Sequence, residues 1–111
     1  MYTKTNSIGT KLWYSDPEQT IYHREDGPAI EYADGDKSWY INGKLHREDG
    51  PAIEHISGDN FWYINGKLHR EDGPACEYTN DDKEYYFMDE SYPDIKTDKQ
   101  WVKFLKLYNF H

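Results

Sequence analysis

The sequence predicts a mainly β protein, an antiparallel meander of 23-residue hairpin repeats with one C-terminal amphipathic helix as a cap. Three observations predict it. A heptapeptide, His-Arg-Glu-Asp-Gly-Pro-Ala, occurs three times without change, starting at His23, His46 and His69. A second block, Trp39-Tyr40-Ile41-Asn42-Gly43-Lys44, returns 23 residues later as Trp62-Tyr63-Ile64-Asn65-Gly66-Lys67. After residue 93 the apolar pattern changes to a helical period, with Trp101, Phe104, Leu105 and Tyr108 at i, i+3, i+4 and i+7.

Within a repeat, each break has a chemical reason. Asn42-Gly43 and Asn65-Gly66 stand between β-prone segments, and both residue types tolerate the positive φ of a type I′ hairpin turn. Asp34-Gly35 and Ser57-Gly58 mark a second turn. Asp26-Gly27-Pro28 and its two copies mark a corner, because proline denies the ladder a donor and restricts the residue before it. The unit therefore reads strand, turn, strand, Asn-Gly turn, short strand, corner.

The ends are degenerate copies. Leu12-Trp13-Tyr14 resembles a first Trp-Tyr strand, but residues 15–21 carry a three-residue insertion before His23. At the far end Tyr85-Tyr86-Phe87 stands where Trp-Tyr-Ile is expected, and Met88-Asp89 replaces Asn-Gly. Departure from consensus at the termini is the usual capping arrangement of a repeat array. Thr97-Asp98-Lys99-Gln100 fits a capping box and predicts a helix over 97–109. The chain is read as one domain: a lead-in over 1–10, repeats over 11–90, and the helix.

Alternation along a strand puts Trp39 and Ile41 on one face and Tyr40 on the other, with Trp62, Ile64 and Tyr63 likewise. Across the Asn-Gly turn Tyr40 faces Leu45 and Ile41 faces Lys44. Both faces are partly apolar and one helix is present to cover them. The pattern leaves open which face is core, whether a second chain in a homodimer covers the rest, or whether the sheet curls and half-buries both. With aromatics at 17% of residues, 11 of them Tyr and 4 Trp, the core is expected to rest on large rings.

Tyr-x-Asn-Gly-Lys-x-His followed by a glycine-containing corner, at this period, resembles the MORN repeat over about residues 11–90. The variant Trp-Tyr-Ile-Asn-Gly-Lys-Leu-His-Arg-Glu-Asp-Gly-Pro-Ala looks like the divergent MORN-like repeats of small bacteriophage, giant-virus and bacterial proteins. The resemblance implies a repeating β scaffold that serves binding. For a phage-type chain it implies anti-defence action, as an inhibitor of a host defence or nucleic-acid-handling protein. It departs from standard MORN units at Arg-Glu-Asp-Gly-Pro, where those carry a glycine-rich stretch, and with that departure their lipid-binding and membrane-linking roles do not carry over.

Charge narrows the function class. The formal net charge of −8 argues against direct binding to a nucleic-acid backbone, which needs clustered Lys and Arg, and against anionic membrane surfaces. It suits a basic protein partner, or a surface that imitates a polyanion. The single cysteine, Cys76, excludes an intrachain disulfide and reads as a small buried hydrophobe. The opening Met1-Tyr2-Thr3-Lys4-Thr5-Asn6 lacks the apolar run of a secretory signal, so a cytoplasmic protein is expected.

The His-Arg corners invite a metal or catalytic reading, and geometry opposes it. Zinc needs ligands converging at roughly 2.0–2.3 Å, whereas equivalent histidines of successive multi-strand units stand about 10 Å apart or more. No catalytic residue, metal or cofactor is expected. Structurally, Asp49 is expected to cap its own corner, Arg47 to pair with a nearby carboxylate or carbonyl, and His46 to bond across the strand gap. The preferred function is a non-catalytic protein-binding module, with an exposed aromatic ladder (Tyr40, Tyr63, Trp39, Trp62) rimmed by acids such as Glu48 and Glu71. The alternative is a sequestering protein that grips a nucleotide-like anion with His46, Arg47, His69 and Arg70.

Overall fold

The computed structural model describes residues 2–108, which form fourteen short strands in antiparallel hairpins and one helix. The strands are β1 (Tyr2–Thr5), β2 (Lys11–Tyr14), β3 (Ile30–Glu31), β4 (Lys37–Ser38), β5 (Tyr40–Ile41), β6 (Lys44–Leu45) and β7 (Ile53–Glu54). They continue as β8 (Asn60–Phe61), β9 (Tyr63–Ile64), β10 (Lys67–Leu68), β11 (Cys76–Glu77), β12 (Lys83–Glu84), β13 (Tyr86–Phe87) and β14 (Glu90–Ser91), followed by α1 (Asp98–Leu107).

The meander is divided into two rows. Eight strands form one sheet in the order β1-β2-β3-β4-β7-β8-β11-β12, while β5-β6, β9-β10 and β13-β14 are separate hairpins. The chain leaves the sheet at each Trp or Tyr that follows β4, β8 or β12, makes its hairpin, and returns through the corner. The register within the hairpins is as the alternation predicts, Tyr40 opposite Leu45 and Ile41 opposite Lys44. Successive hairpins are stitched by backbone bonds at the same repeat positions. Gly43, Gly66 and Asp89 donate to the carbonyls of Tyr22, Leu45 and Leu68, and Arg24, Arg47 and Arg70 donate to those of Tyr40, Tyr63 and Tyr86.

The Asn-Gly turns have the positive φ that selected them, 51° at Asn42 and 78° at Gly43. The degenerate turn keeps the conformation without the residues, with φ of 48° at Met88 and 71° at Asp89. Three bonds to the preceding unit hold it there: Met88 N–H to His69 Nδ1, Asp89 N–H to the Leu68 carbonyl, and Leu68 N–H to Asp89 Oδ1.

Across the large sheet, opposite residues form two rows. One face carries Lys4, Leu12, Ile30, Ser38, Ile53, Phe61, Cys76 and Glu84 in succession. The other face carries Thr5, Lys11, Glu31, Lys37, Glu54, Asn60, Glu77 and Lys83, a nearly alternating series of charges. Opposite charges directly across a strand pair stabilise by roughly 0.2–1 kcal/mol each.

The core corrects one expectation. Between the two terminal units the most deeply buried hydrophobic residues are small: Ala29, Ala52 and Ala75 are each 0% exposed, with Ile30 and Cys76 beside them. The corner alanine is fully buried between strands, its N–H and carbonyl both in the ladder (Ala52 N–H to the Phe61 carbonyl, Trp39 N–H to the Ala52 carbonyl). Large rings are buried at the ends of the array: Tyr14 in the first unit, and at the C-terminal end Tyr85 and Trp101, which with Leu105 are surrounded by Phe87, Tyr92, Ile95 and Phe104.

Helix α1 covers that end. Its capping box is present, with Gln100 N–H on Thr97 Oγ1 at 3.1 Å and Thr97 N–H on Gln100 Oε1 at 3.2 Å. The helix ends at Leu107, short of the expected 109, a position outside the described residues. Trp101 and Leu105 are buried, Phe104 is half-buried, and Tyr108 points out, 64% exposed. Trp101 Nε1 donates to the Arg70 carbonyl at 2.7 Å, and Tyr85 donates its hydroxyl to Asp98 at 2.7 Å. The result is elongated, 47 × 29 × 19 Å. Its radius of gyration of 15.6 Å exceeds the roughly 13 Å of a compact chain of this length. No helix among the described residues is long and apolar enough to cross a membrane.

Candidate functional site

Each corner is built around its arginine. The guanidinium of Arg47 lies over the Trp39 ring, 3.9 Å from the centroid. Its Nε donates to Asp49 at 3.0 Å, and its Nη1 donates to the Pro51 carbonyl at 3.1 Å and to Glu54 at 3.0 Å. Arg24 repeats this with Trp13, Asp26, Pro28 and Glu31, and Arg70 with Trp62, Asp72, Pro74 and Glu77. The pairing of Arg47 with a carboxylate and a carbonyl is as expected. Asp49 is not a backbone cap, as expected from sequence, but the Nε partner of Arg47.

The corner glycine is required by space. Gly27, Gly50 and Gly73 do not have positive φ. A Cβ at Gly50 would lie 2.8 Å from Arg47 Cζ, and at Gly27 and Gly73 the equivalent distances are 3.0 and 2.9 Å. The guanidinium is thus sandwiched between an indole on one side and a bare Cα on the other.

The histidines join units. His23, His46 and His69 accept at Nδ1 from the backbone N–H of Asn42, Asn65 and Met88, at 2.9, 3.0 and 3.1 Å. Acceptance at Nδ1 places the proton of the neutral ring on Nε2, which in His69 faces Glu71 at 3.1 Å. His46 does bond across the gap to the next unit.

Between successive corners runs a groove, and the groove repeats. One, of about 570 Å³, has Trp62, Ile64 and His69 between the acidic corners of Arg47–Gly50 and Arg70–Asp72. The other, of about 850 Å³, has Trp39, Ile41 and His46 between the corners that begin at Arg24 and Arg47. Each corner holds one cation against three carboxylates, two of which neutralise and hold the arginine. Asp49 and Asp72 remain 88% and 84% exposed at the side chain while they do so.

The structure separates the six sequence-predicted contact residues. Trp39, Trp62, Glu48 and Glu71 line the grooves. Tyr40 and Tyr63 do not: Tyr40 is the third ring of a series Tyr14, Tyr22, Tyr40 at centroid spacings of 5.3 and 5.2 Å, and Tyr63 stands opposite Leu68 in its own hairpin. All four predicted rings are half-buried rather than exposed. Burial, with neighbouring phenols, pushes the Tyr40 hydroxyl above its ordinary value, and burial does the same to Tyr63. Sequence reasoning missed Ile41 and Ile64 as groove floor, although their alternation with Trp already placed them there.

Three residues of the alternative anion site, Arg47, His69 and Arg70, line one groove, while His46 lines the other. A phosphate there meets arginines already held by two carboxylates each. Cys76 is buried as expected; burial and the nearby Glu84 push its thiol up to about 12, so it stays protonated at neutral pH. Among the described residues no group of His, Cys, Asp and Glu is placed to hold a metal ion. Comparison with protein-family models, curated proteins and solved structures found no match. The hairpin meander is compatible with a MORN-like array and does not by itself identify one.

Proposed function

We propose that this chain is a non-catalytic binding module that docks a basic protein surface in its serial grooves. This is the action of a phage-type inhibitor that occupies the polyanion-binding face of a host defence or nucleic-acid-handling protein. The observation that carries the reading is the closed state of the arginines. Each guanidinium is consumed by its own Trp, Asp, Pro and Glu, so the charge left facing outward is negative. Trp and Ile form a floor on which the aliphatic stem of an incoming Lys or Arg can lie, while Glu48, Asp49 and Glu71 at the rim receive its charged end. Repetition of the groove multiplies a weak single contact.

The test has two parts. Titration with a Lys/Arg-rich peptide, followed by tryptophan emission, is expected to give a shift that weakens as salt rises. The tagged chain and its Glu48→Lys/Glu71→Lys variant are then recovered from a bacterial lysate and weighed by native mass spectrometry. A basic protein carried by the parent and lost by the equally stable variant supports the proposal. No peptide-induced shift refutes it, as does a partner retained by the variant. An added mass of a few hundred daltons that responds to nucleotide would move the assignment to ligand sequestration.

A further inference from the structure

Among the described residues the eight-stranded sheet has two open edges, β1 and β12, each paired with a strand on one side only, and the outer side of β1 carries one bond, from Gln19 Nε2 to the Thr3 carbonyl at 3.4 Å. All four residues of β1 and both residues of β12 are exposed. Helix α1 packs on Tyr85 and the last hairpin; among the described residues Lys83 and Glu84 stay exposed beside the segment 91–96, with Glu84 Oε1 accepting the Tyr78 hydroxyl at 2.8 Å. We propose that copies of this chain join head to tail, β12 of one copy pairing antiparallel with β1 of the next.

The register follows from the junctions inside the chain. At the two regular junctions Lys37 lies opposite Glu54 with Ser38 opposite Ile53, and Asn60 opposite Glu77 with Phe61 opposite Cys76. The first junction obeys the same rule, with Lys11 opposite Glu31 and Leu12 opposite Ile30. One further step sets Lys83 opposite Thr5 of the next copy and Glu84 opposite its Lys4. The first sheet face is otherwise largely apolar, and it ends in a lysine on β1 and a glutamate on β12. Head-to-tail pairing joins those two ends.

A second contact repeats at all three junctions and points the same way. Thr10 Oγ1, Asp36 Oδ1 and Asp59 Oδ1 accept the backbone N–H of Ala33, Ile56 and Thr79 in the following unit. The next member of the series is Asp82, whose Oδ2 holds Asn80. The matching donor, counting back through the insertion, is the N–H of Ser7, in the turn after β1. A following copy therefore meets Asp82 with Ser7 as each unit inside the chain meets its neighbour.

Charged edges ordinarily keep sheets apart. Here the pattern selects among pairings. Pairing of β12 with a second β12 that keeps the two faces continuous sets Glu84 against Glu84, or Lys83 against Lys83, whereas unlike ends set lysine against glutamate. A heterologous contact of this kind does not close on itself and yields open chains of copies. It uses the sheet edges and not the grooves, so it stands or falls separately from the proposed function.

Sedimentation velocity of the 111-residue chain from about 1 µM to about 1 mM tests it, a range that spans weak association. The weight-average mass is expected to climb past the dimer without a plateau, and to fall with added salt. Lys4→Glu and Glu84→Lys each replace an attractive pair with a repulsive one, and each weakens association roughly fivefold or more. An equimolar mixture of the two variants recovers it, because every junction between unlike variants again sets a lysine against a glutamate. In one such junction the two substituted side chains face each other, and in the other the unsubstituted Lys4 and Glu84 do. Thermal melts of both variants confirm that the exposed substitutions leave the fold intact. A chain that stays monomeric, a plateau at the dimer, or failure of the mixture to recover association overturns the proposal.

Discussion

Gly50→Ala is the substitution in which the sign itself tests the reasoning. At a glycine with negative φ, alanine ordinarily stabilises by about 0.4–1 kcal/mol, because it restricts the unfolded chain. Here the added Cβ would lie 2.8 Å from Arg47 Cζ and 3.1 Å from Nε. A guanidinium is the end of a flexible side chain and swings away cheaply when nothing holds it. This one is held by Trp39, Asp49, Pro51 and Glu54. Moving it off the indole forfeits about 0.5–1 kcal/mol for a partly exposed cation–π contact. Disrupting its bonds, one to a backbone carbonyl and two to partly exposed carboxylates, costs about 1–2 kcal/mol more after solvent screening. The net expectation is destabilisation by about 1–2 kcal/mol, or a fall of several degrees in Tm for a domain of this size. The assay is thermal or urea unfolding of Gly50→Ala, Arg47→Ala and the double variant. With the guanidinium gone, Gly50→Ala should turn neutral or stabilising, a coupling of about 1 kcal/mol or more. If the single Gly50→Ala variant is more stable than the parent, the sandwiched guanidinium does not explain the corner glycine.

Three further outcomes follow from the cap, the sheet turns and the thiol. Trp101→Ala removes the largest fully buried ring and the bond to the Arg70 carbonyl, and should cost about 3–5 kcal/mol by urea unfolding. The Ile56 N–H and the His55 ring hold the Asp36 carboxyl below its ordinary value, so its contribution is present above the unfolded value near 3.8 and fades as pH falls below it. Melts between pH 6 and 2 should show Asp36→Asn flattening the acid limb; an unchanged limb refutes this. Native Cys76 should resist iodoacetamide at pH 8 and react only after unfolding, read by mass spectrometry, because the buried thiol does not ionise until about pH 12.

Some features were legible in the residues because local chemistry fixes them. Asn42-Gly43 set a turn of known handedness, and a two-residue turn sets the register of the strands it joins, so Tyr40 had to face Leu45. Thr97 and Gln100 announced the helix start, because a capping box satisfies its own backbone donors. The same alternation already denied Trp39 and Tyr40 a common contact surface, although the predicted aromatic ladder combined them.

The identical corners declared a repeating role for Arg47 without saying what it touches. That depends on Trp39, eight residues earlier, being brought beneath it by the hairpin, and on Pro51 and Glu54 returning beside it. The burial of Ala52 and the need for a bare Cα at Gly50 arise only when strands close around them. The sequence by itself determined the period, the turns, the strand register and the helix, all of which rest on neighbours a few residues apart. Tertiary structure decided the division into a sheet and a row of hairpins, the small-residue core and the grooves between corners. These depend on distances between units, and backbone bonds set them only once the repeats stack.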